Sequence, residues 1–144
     1  LVGAKVDRKP NFMAVAWCGV ANSNPPMVTV AIRPHRHTFK GIIKTRTFSV
    51  NVPSTDHVKE TDYCGMVSGA KIDKVAVCGF KIFYGNIKTA PMIEQCPVNL
   101  ACKVENIIEL GTHQLVIGRV EETYVSDTCL NDGRPDFNLI KPFI

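Results

Sequence analysis

Long apolar runs are missing from this chain of 144 residues. The stretch Met13–Ala21 is about half of the roughly 20 apolar residues a membrane-spanning helix needs, so no membrane partner is expected. A charged segment leading into an apolar one, the mark of a secretory signal, is also absent. There is no GxGxxG and no GxxxxGK[ST], which removes the Rossmann and P-loop nucleotide sites, and no GxSxG nucleophile elbow. The six cysteines form no CxxC and sit at no zinc-finger distance from a histidine. Aromatic residues make up only 8%, too few to interleave with a basic track across a sheet, so a nucleic-acid-binding barrel is not expected. Leucine is scarce as well: 6 residues, against 29 Val and Ile together. β-Branched side chains suit pleated, half-buried surfaces, and the chain reads as mostly β.

What is present is concentrated. Between Arg33 and Arg46 lie five Lys and Arg residues together with His35 and His37, and no acid. The remainder carries 12 bases against 13 acids, so the whole net charge of +4 resides in this segment. Charge so localised fits either a solvated loop or the site of a local anion such as a phosphate, rather than a general polyanion surface. His35-x-His37 has no third ligand placed beside it, and no metal is expected. Cysteines inside apolar runs, such as Cys18 in AVAWCGV and Cys78 in VAVCGF, read as small buried hydrophobes, which points to a reducing, cytoplasmic setting.

Six runs read as strands: Met13–Val20, Met27–Arg33, Arg46–Val52, Val75–Tyr84, Leu100–Glu109 and Leu115–Val125. Arg46–Val52 alternates cleanly, with Phe48, Val50 and Val52 opposite Thr47, Ser49 and Asn51. Thr38–Thr45 and Ser54–Cys64 read as short helices, the first with Phe39, Ile42 and Ile43 on one side, the second turning Val58 and Tyr63 to the core. No helix is long enough for a parallel crossover, so an antiparallel barrel is expected.

Four segments carry candidate chemistry. Trp17-Cys18-Gly19-Val20-Ala21-Asn22-Ser23-Asn24-Pro25-Pro26 ends a strand in small residues, over which a flat ligand can approach the backbone; a tight β-connection has the same needs. Arg33-Pro34-His35-Arg36-His37-Thr38 places bases and a hydroxyl at a helix start, a ready phosphate site or an ordinary cap. Asn51 at a strand end suits a heterocycle's amide edge or an Asx-turn. Ser68-Gly69-Ala70-Lys71-Ile72-Asp73-Lys74 is a basic loop able to bring Lys74 to a ligand.

The order of these blocks, WCGVANSNPP, RPHRHT, FSVNVPS and SGAKIDK, then TAPMIE, CPVNL and HQLVIGRV, resembles the flavin reductase-like, FMN-binding split-barrel family, in wording closest to its flavoredoxin branch. The resemblance implies a mainly β fold, a six-stranded antiparallel Greek-key split barrel with short flanking helices. It implies a single domain over residues 1–144, ending short of where family members usually end. It implies FMN held near a homodimer interface. Trp17, Cys18, Ala21, Asn22 and Ser23 then lie along the isoalloxazine, and Arg36, His37 and Thr38 hold the phosphate. Asn51 lies beside the ring, and Asn11, Lys74 and His113 are polar positions reaching FMN. The implied activity is electron transfer with FMN as prosthetic group, reduced by a redox partner protein or by NAD(P)H. The alternative is an NAD(P)H-dependent flavin reductase that uses FMN as an exchangeable substrate.

Overall fold

A computed structural model describes residues 1–143; Ile144, the last residue of the expected domain, lies outside the described residues. The chain opens with a hairpin, β1 (Val2–Val6) and β2 (Lys9–Met13), joined at Asp7 and Arg8, both with positive φ (45° and 72°). That conformation matches the right-handed twist of the paired strands. Strands β3 (Cys18–Ser23) and β4 (Pro26–Ile32) form a second hairpin, helix α1 (His37–Thr45) follows, and β5 (Thr47–Val52) returns to the sheet. A 3-10 turn at Thr55–His57 leads into α2 (Val58–Met66), then α3 (Lys74–Cys78) and two short strands, β6 (Ile82–Phe83) and β7 (Met92–Ile93). The long hairpin of β8 (Val98–Glu109) and β9 (Gln114–Val125) is followed by the small pair β10 (Leu130–Asn131) and β11 (Arg134–Pro135), and by α4 (Phe137–Ile140).

The main sheet is antiparallel, in the order β2-β1-β5-β8-β9-β4-β3. It wraps around one core to which β1, β2, β4, β5, β8 and β9 all contribute: Val2, Met13, Val30, Ile32, Phe48 and Val116 meet Phe39 and Ile42 of α1. The outermost strands, β2 and β3, pair only with β1 and β4. The barrel is therefore split between them, and the connection Ala14–Trp17 crosses the split. A second cluster, Phe12, Cys64, Phe80, Ile93 and Cys96, lies under α2 and α3.

The mainly antiparallel β fold agrees with the sequence; several elements differ. The main sheet has seven strands rather than six. The run Met13–Val20 is divided, Met13 closing β2 and Cys18 opening β3. Val75–Tyr84 is mostly not strand: Asp73 accepts the Ala76 N–H at 3.2 Å as a helix cap, and Gly79 ends α3 at φ 63°, so the cap and stop outweigh the preference of Val75 and Val77. Val58 and Ile43 are exposed. Cys18 is exposed and Cys78 half-buried, while the other four free cysteines are buried.

Both faces of β5 are buried. Its polar face is covered by residues 89–93: Thr47 and Thr89 share a hydroxyl hydrogen bond of 2.7 Å, Ser49 Oγ donates to Pro91 O, and the Ile93 N–H donates to Asn51 Oδ1 at 3.0 Å. Helix α1 lies close against β1, since a Cβ at Gly41 would stand 2.7 Å from Lys5 O and 2.9 Å from Val6 Cγ2. This approach sets the start of α1 beside β2.

Candidate flavin site

The start of α1, the end of β2 and the loop after α2 enclose a cavity of about 130 Å³, whose lining includes Asn11, Arg36, His37, Thr38, Gly69 and Lys74. Asn11 Nδ2 donates to Thr38 Oγ1 at 2.7 Å. With its oxygen already accepting, the Thr38 hydroxyl keeps its own hydrogen to donate. No side chain caps α1 and no acid lies in its first turn, leaving the positive end of the helix uncompensated. Lys74 is buried at 4% exposure, and its Nζ donates to Phe12 O at 2.9 Å and to Cys64 O at 2.8 Å. Two of the three ammonium hydrogens are thereby used, and the ammonium is fixed at the cavity wall. Burial pulls its pKa below the usual lysine range.

Two details test whether an anion fits. His37 Nδ1 is buried without a hydrogen-bond partner, an arrangement that costs free energy unless a ligand satisfies it. A Cβ at Gly69 would overlap the Asn11 amide, so only glycine lets this loop close over the residue that orients Thr38. Unmet polar capacity, positive charge and a small volume all fit a phosphate.

A second cavity, about 290 Å³, lies over the split; Ala14, Trp17, Arg33, Arg36 and His113 are among its lining residues. His113 sits at the tip of the β8–β9 hairpin, where the Leu110 N–H donates to its carbonyl at 2.9 Å. Its ring packs on Trp17 with centroids 4.5 Å apart and an interplanar angle of 40°. Met13, Ala14 and Arg36 line both cavities, which therefore adjoin.

Seven of the residues expected from the sequence are thus brought together: Asn11, Arg36, His37, Thr38 and Lys74 in the first cavity, Trp17 and His113 in the second. Cys18, Ala21, Asn22 and Ser23 line neither; they lie on the exposed strand β3, and Asn22 Nδ2 donates to Pro25 O at 2.9 Å. Asn51 also lies apart, fully buried. Its Nδ2 donates to Leu1 O at 3.2 Å and Ser49 Oγ at 2.9 Å, and its Oδ1 accepts from Ile93. Arg33, Ser68 and Gly69, which the sequence placed in candidate segments without giving them a contact to the ligand, also line the cavities.

Residues 1–135 match the flavin reductase like domain. The chain belongs to the flavin reductase-like family. Among solved structures, flavoredoxin from Methanosarcina acetivorans is 42% identical with a TM-score of 0.94, over 99% of this chain and 75% of that one. Flavoredoxin of Desulfovibrio vulgaris (Miyazaki F) is 35% identical with a TM-score of 0.93, over 99% and 77%. The FMN-binding protein from Thermus thermophilus, solved with bound 1-cyclohex-2-enone, is 27% identical with a TM-score of 0.83, over 93% and 74%. Among the described residues of this flavin reductase-like domain, no helix is long and apolar enough to cross a membrane.

The position of His37 in this flavin reductase-like domain has a pH consequence. Burial and then the Lys40 charge lower its pKa, with Lys74 adding to the effect and Asp7 opposing it. Between the lowered folded value and the ordinary histidine value the unfolded chain binds the extra proton, so the ligand-free protein loses stability as pH falls through that window. We expect His37→Gln to flatten this part of a urea-denaturation pH profile. Saturating inorganic phosphate is expected to oppose the loss, because an anion in the cavity pairs with the imidazolium. An unchanged profile in the variant would remove His37 as the titrating group.

Proposed function

We propose that this protein holds FMN as a prosthetic group and transfers electrons in the manner of a flavoredoxin, as a cytoplasmic homodimer. The carrying observation is the joined pair of cavities, one suited to a phosphate and the other open beside an aromatic pair. In this reading Arg36, the Thr38 hydroxyl, the start of α1, His37 Nδ1 and the Lys74 ammonium hold the phosphate. Asn11 orients Thr38. Trp17, His113 and the backbone of residues 14–17 line the ring. FMN supplies the redox chemistry when bound, while the residues bind and orient it and set its electrostatic surroundings. The 42% and 35% identities with the two flavoredoxins favour this reading over that of a flavin reductase with exchangeable FMN.

Dimerisation rests on β3, whose outer edge pairs with no strand among the described residues and whose six residues are all exposed, Val20 at 84%. An exposed edge strand bearing an apolar residue calls for cover, and a second copy supplies it, bringing Cys18, Ala21, Asn22 and Ser23 to the flavin region. Sedimentation equilibrium is expected to give twice the chain mass, and Val20→Lys to shift the native protein towards monomer. A native protein that is monomeric with stoichiometric FMN would show that one chain completes the site.

The functional test is a visible spectrum after gel filtration, followed by anaerobic addition of NADH or NADPH. Yellow protein that bleaches slowly or not at all is the expected result, that of a carrier reduced by another protein. Colourless protein that reduces added FMN with NAD(P)H would make it a flavin reductase. Colourless protein that binds no flavin would defeat both readings.

A further inference from the structure

A further cavity, about 340 Å³, lies where β8 begins and β9 ends, at the opposite end of that hairpin from His113. It shares no lining residue with the two cavities assigned to flavin. The proposed function makes no use of it, so what it holds is independent of the flavin reading.

Asn99 lines this cavity, pairs across the ladder with Tyr124 and is 3% exposed. Its Nδ2 donates to Cys96 O at 2.8 Å, which fixes the orientation of the amide. The other end, Oδ1, is buried with no hydrogen-bond partner among the described residues. An orphaned acceptor costs free energy that a ligand's donor removes.

The remaining walls set the charge and shape of that ligand. Glu94, just after β7, is exposed and makes no ion pair among the described residues, where the pairs are Lys44–Asp7, Arg119–Glu105 and Arg119–Glu121. No Lys, Arg or His lines the cavity. Burial pushes the pKa of the Cys96 thiol up to about 12, so it stays neutral near pH 7. The charge in the wall is therefore negative. Phe83 and Tyr124 contribute two rings, with centroids 5.4 Å apart at an interplanar angle of 83°. The Tyr124 hydroxyl donates to Glu122 Oε2 at 2.6 Å, which sets a second carboxylate at that end of the ring. Aromatic rings beside unpaired negative charge attract cations.

We propose that this cavity binds a small organic ammonium ion, its N–H groups given to Asn99 Oδ1 and the Glu94 carboxylate, and its apolar body set against Phe83 and Tyr124. The volume lies in the range of ligand sites, which combine apolar walls with a few placed polar groups. An anion of the same shape meets Glu94 with no base to offset it. A neutral alcohol supplies one donor and no charge.

The test titrates benzylammonium, benzyl alcohol and benzoate separately into nitrogen-labelled native protein, followed by heteronuclear NMR. Benzylammonium is expected to shift the Asn99 side-chain amide and the Ser126 N–H saturably, and to leave the Trp17 indole N–H in place. Benzyl alcohol is expected to bind about fivefold more weakly, the scale of one exposed charge contact, and benzoate not to bind. Glu94→Gln changes an exposed residue, and thermal melting checks that the variant folds. It is expected to weaken benzylammonium by the same factor of about five. No saturable shift with benzylammonium, shifts centred on Trp17, equal binding of benzyl alcohol or benzoate, or unchanged affinity in the variant would each overturn the inference. The flavin reading stands or falls separately, on FMN binding.

Discussion

Replacing Arg36 and Thr38 together with alanine is expected to weaken FMN binding by roughly a hundredfold, about 3 kcal/mol. The estimate follows from the phosphate cavity. Thr38 is 1% exposed, and its hydroxyl oxygen is occupied by the Asn11 amide at 2.7 Å, so the hydroxyl is held ready to donate to an anion. Charge-assisted hydrogen bonds of this kind contribute about 1.5–3 kcal/mol each; Arg36 is exposed and stands at the low end of that range. Thr38→Ala also leaves the Asn11 amide without its acceptor, whereas Arg36→Ala disturbs nothing buried. The double variant should therefore lose a little stability through Thr38 and most of its flavin affinity through both. Calorimetric titration with FMN checks the loss, and affinity within twofold of native would remove the phosphate from the start of α1.

Lys74→Met is expected to lower stability by about 2–4 kcal/mol, because it strands two buried carbonyls, Phe12 O and Cys64 O, at about 1–3 kcal/mol each. Relief of the cost of burying the ammonium offsets part of this. The pH dependence separates the two contributions. Burial lowers the folded pKa of Lys74, so the unfolded chain holds the proton between that value and the ordinary lysine value, and native stability rises with pH across the window. In the variant this rise should vanish, as read by urea denaturation between neutral and alkaline pH. A variant with native stability at neutral pH would mean that the two carbonyls find other donors.

How far this was legible in the sequence depends on which residues carried the signal locally. The part of the first cavity formed by Arg36, His37 and Thr38 was legible because these residues lie in one basic segment, Arg33–Arg46, free of acids, which contains a helix whose apolar residues Phe39 and Ile42 are spaced to meet the core. The first hairpin was not. Gly3, Ala4 and Lys5 blur the alternation of β1, Pro10 interrupts β2, and the turn uses Asp7 and Arg8 with positive φ where glycine would ordinarily announce it. Asn51 shows another limit. Its type and strand-end position suit a ligand, but the segment that covers it, residues 91–93, is about 40 residues away in sequence, and only tertiary packing reveals that its amide is already engaged. The pairing of Trp17 with His113 depends equally on the sheet bringing β9 beside β4. The resemblance supplied His113, which the local pattern did not.

Trp17 provides the most direct test of the central claim. It is the single tryptophan of the chain and lines the cavity assigned to the flavin ring, so its emission reports on occupancy of that cavity. Flavin-free protein titrated with FMN is expected to show saturable quenching of tryptophan fluorescence at one FMN per chain, with the midpoint moved to higher concentration by Arg36→Ala and Thr38→Ala. Emission that stays constant through the titration once absorbance by free FMN is corrected, or quenching indifferent to both substitutions, would contradict a flavin lying between Trp17 and the start of α1.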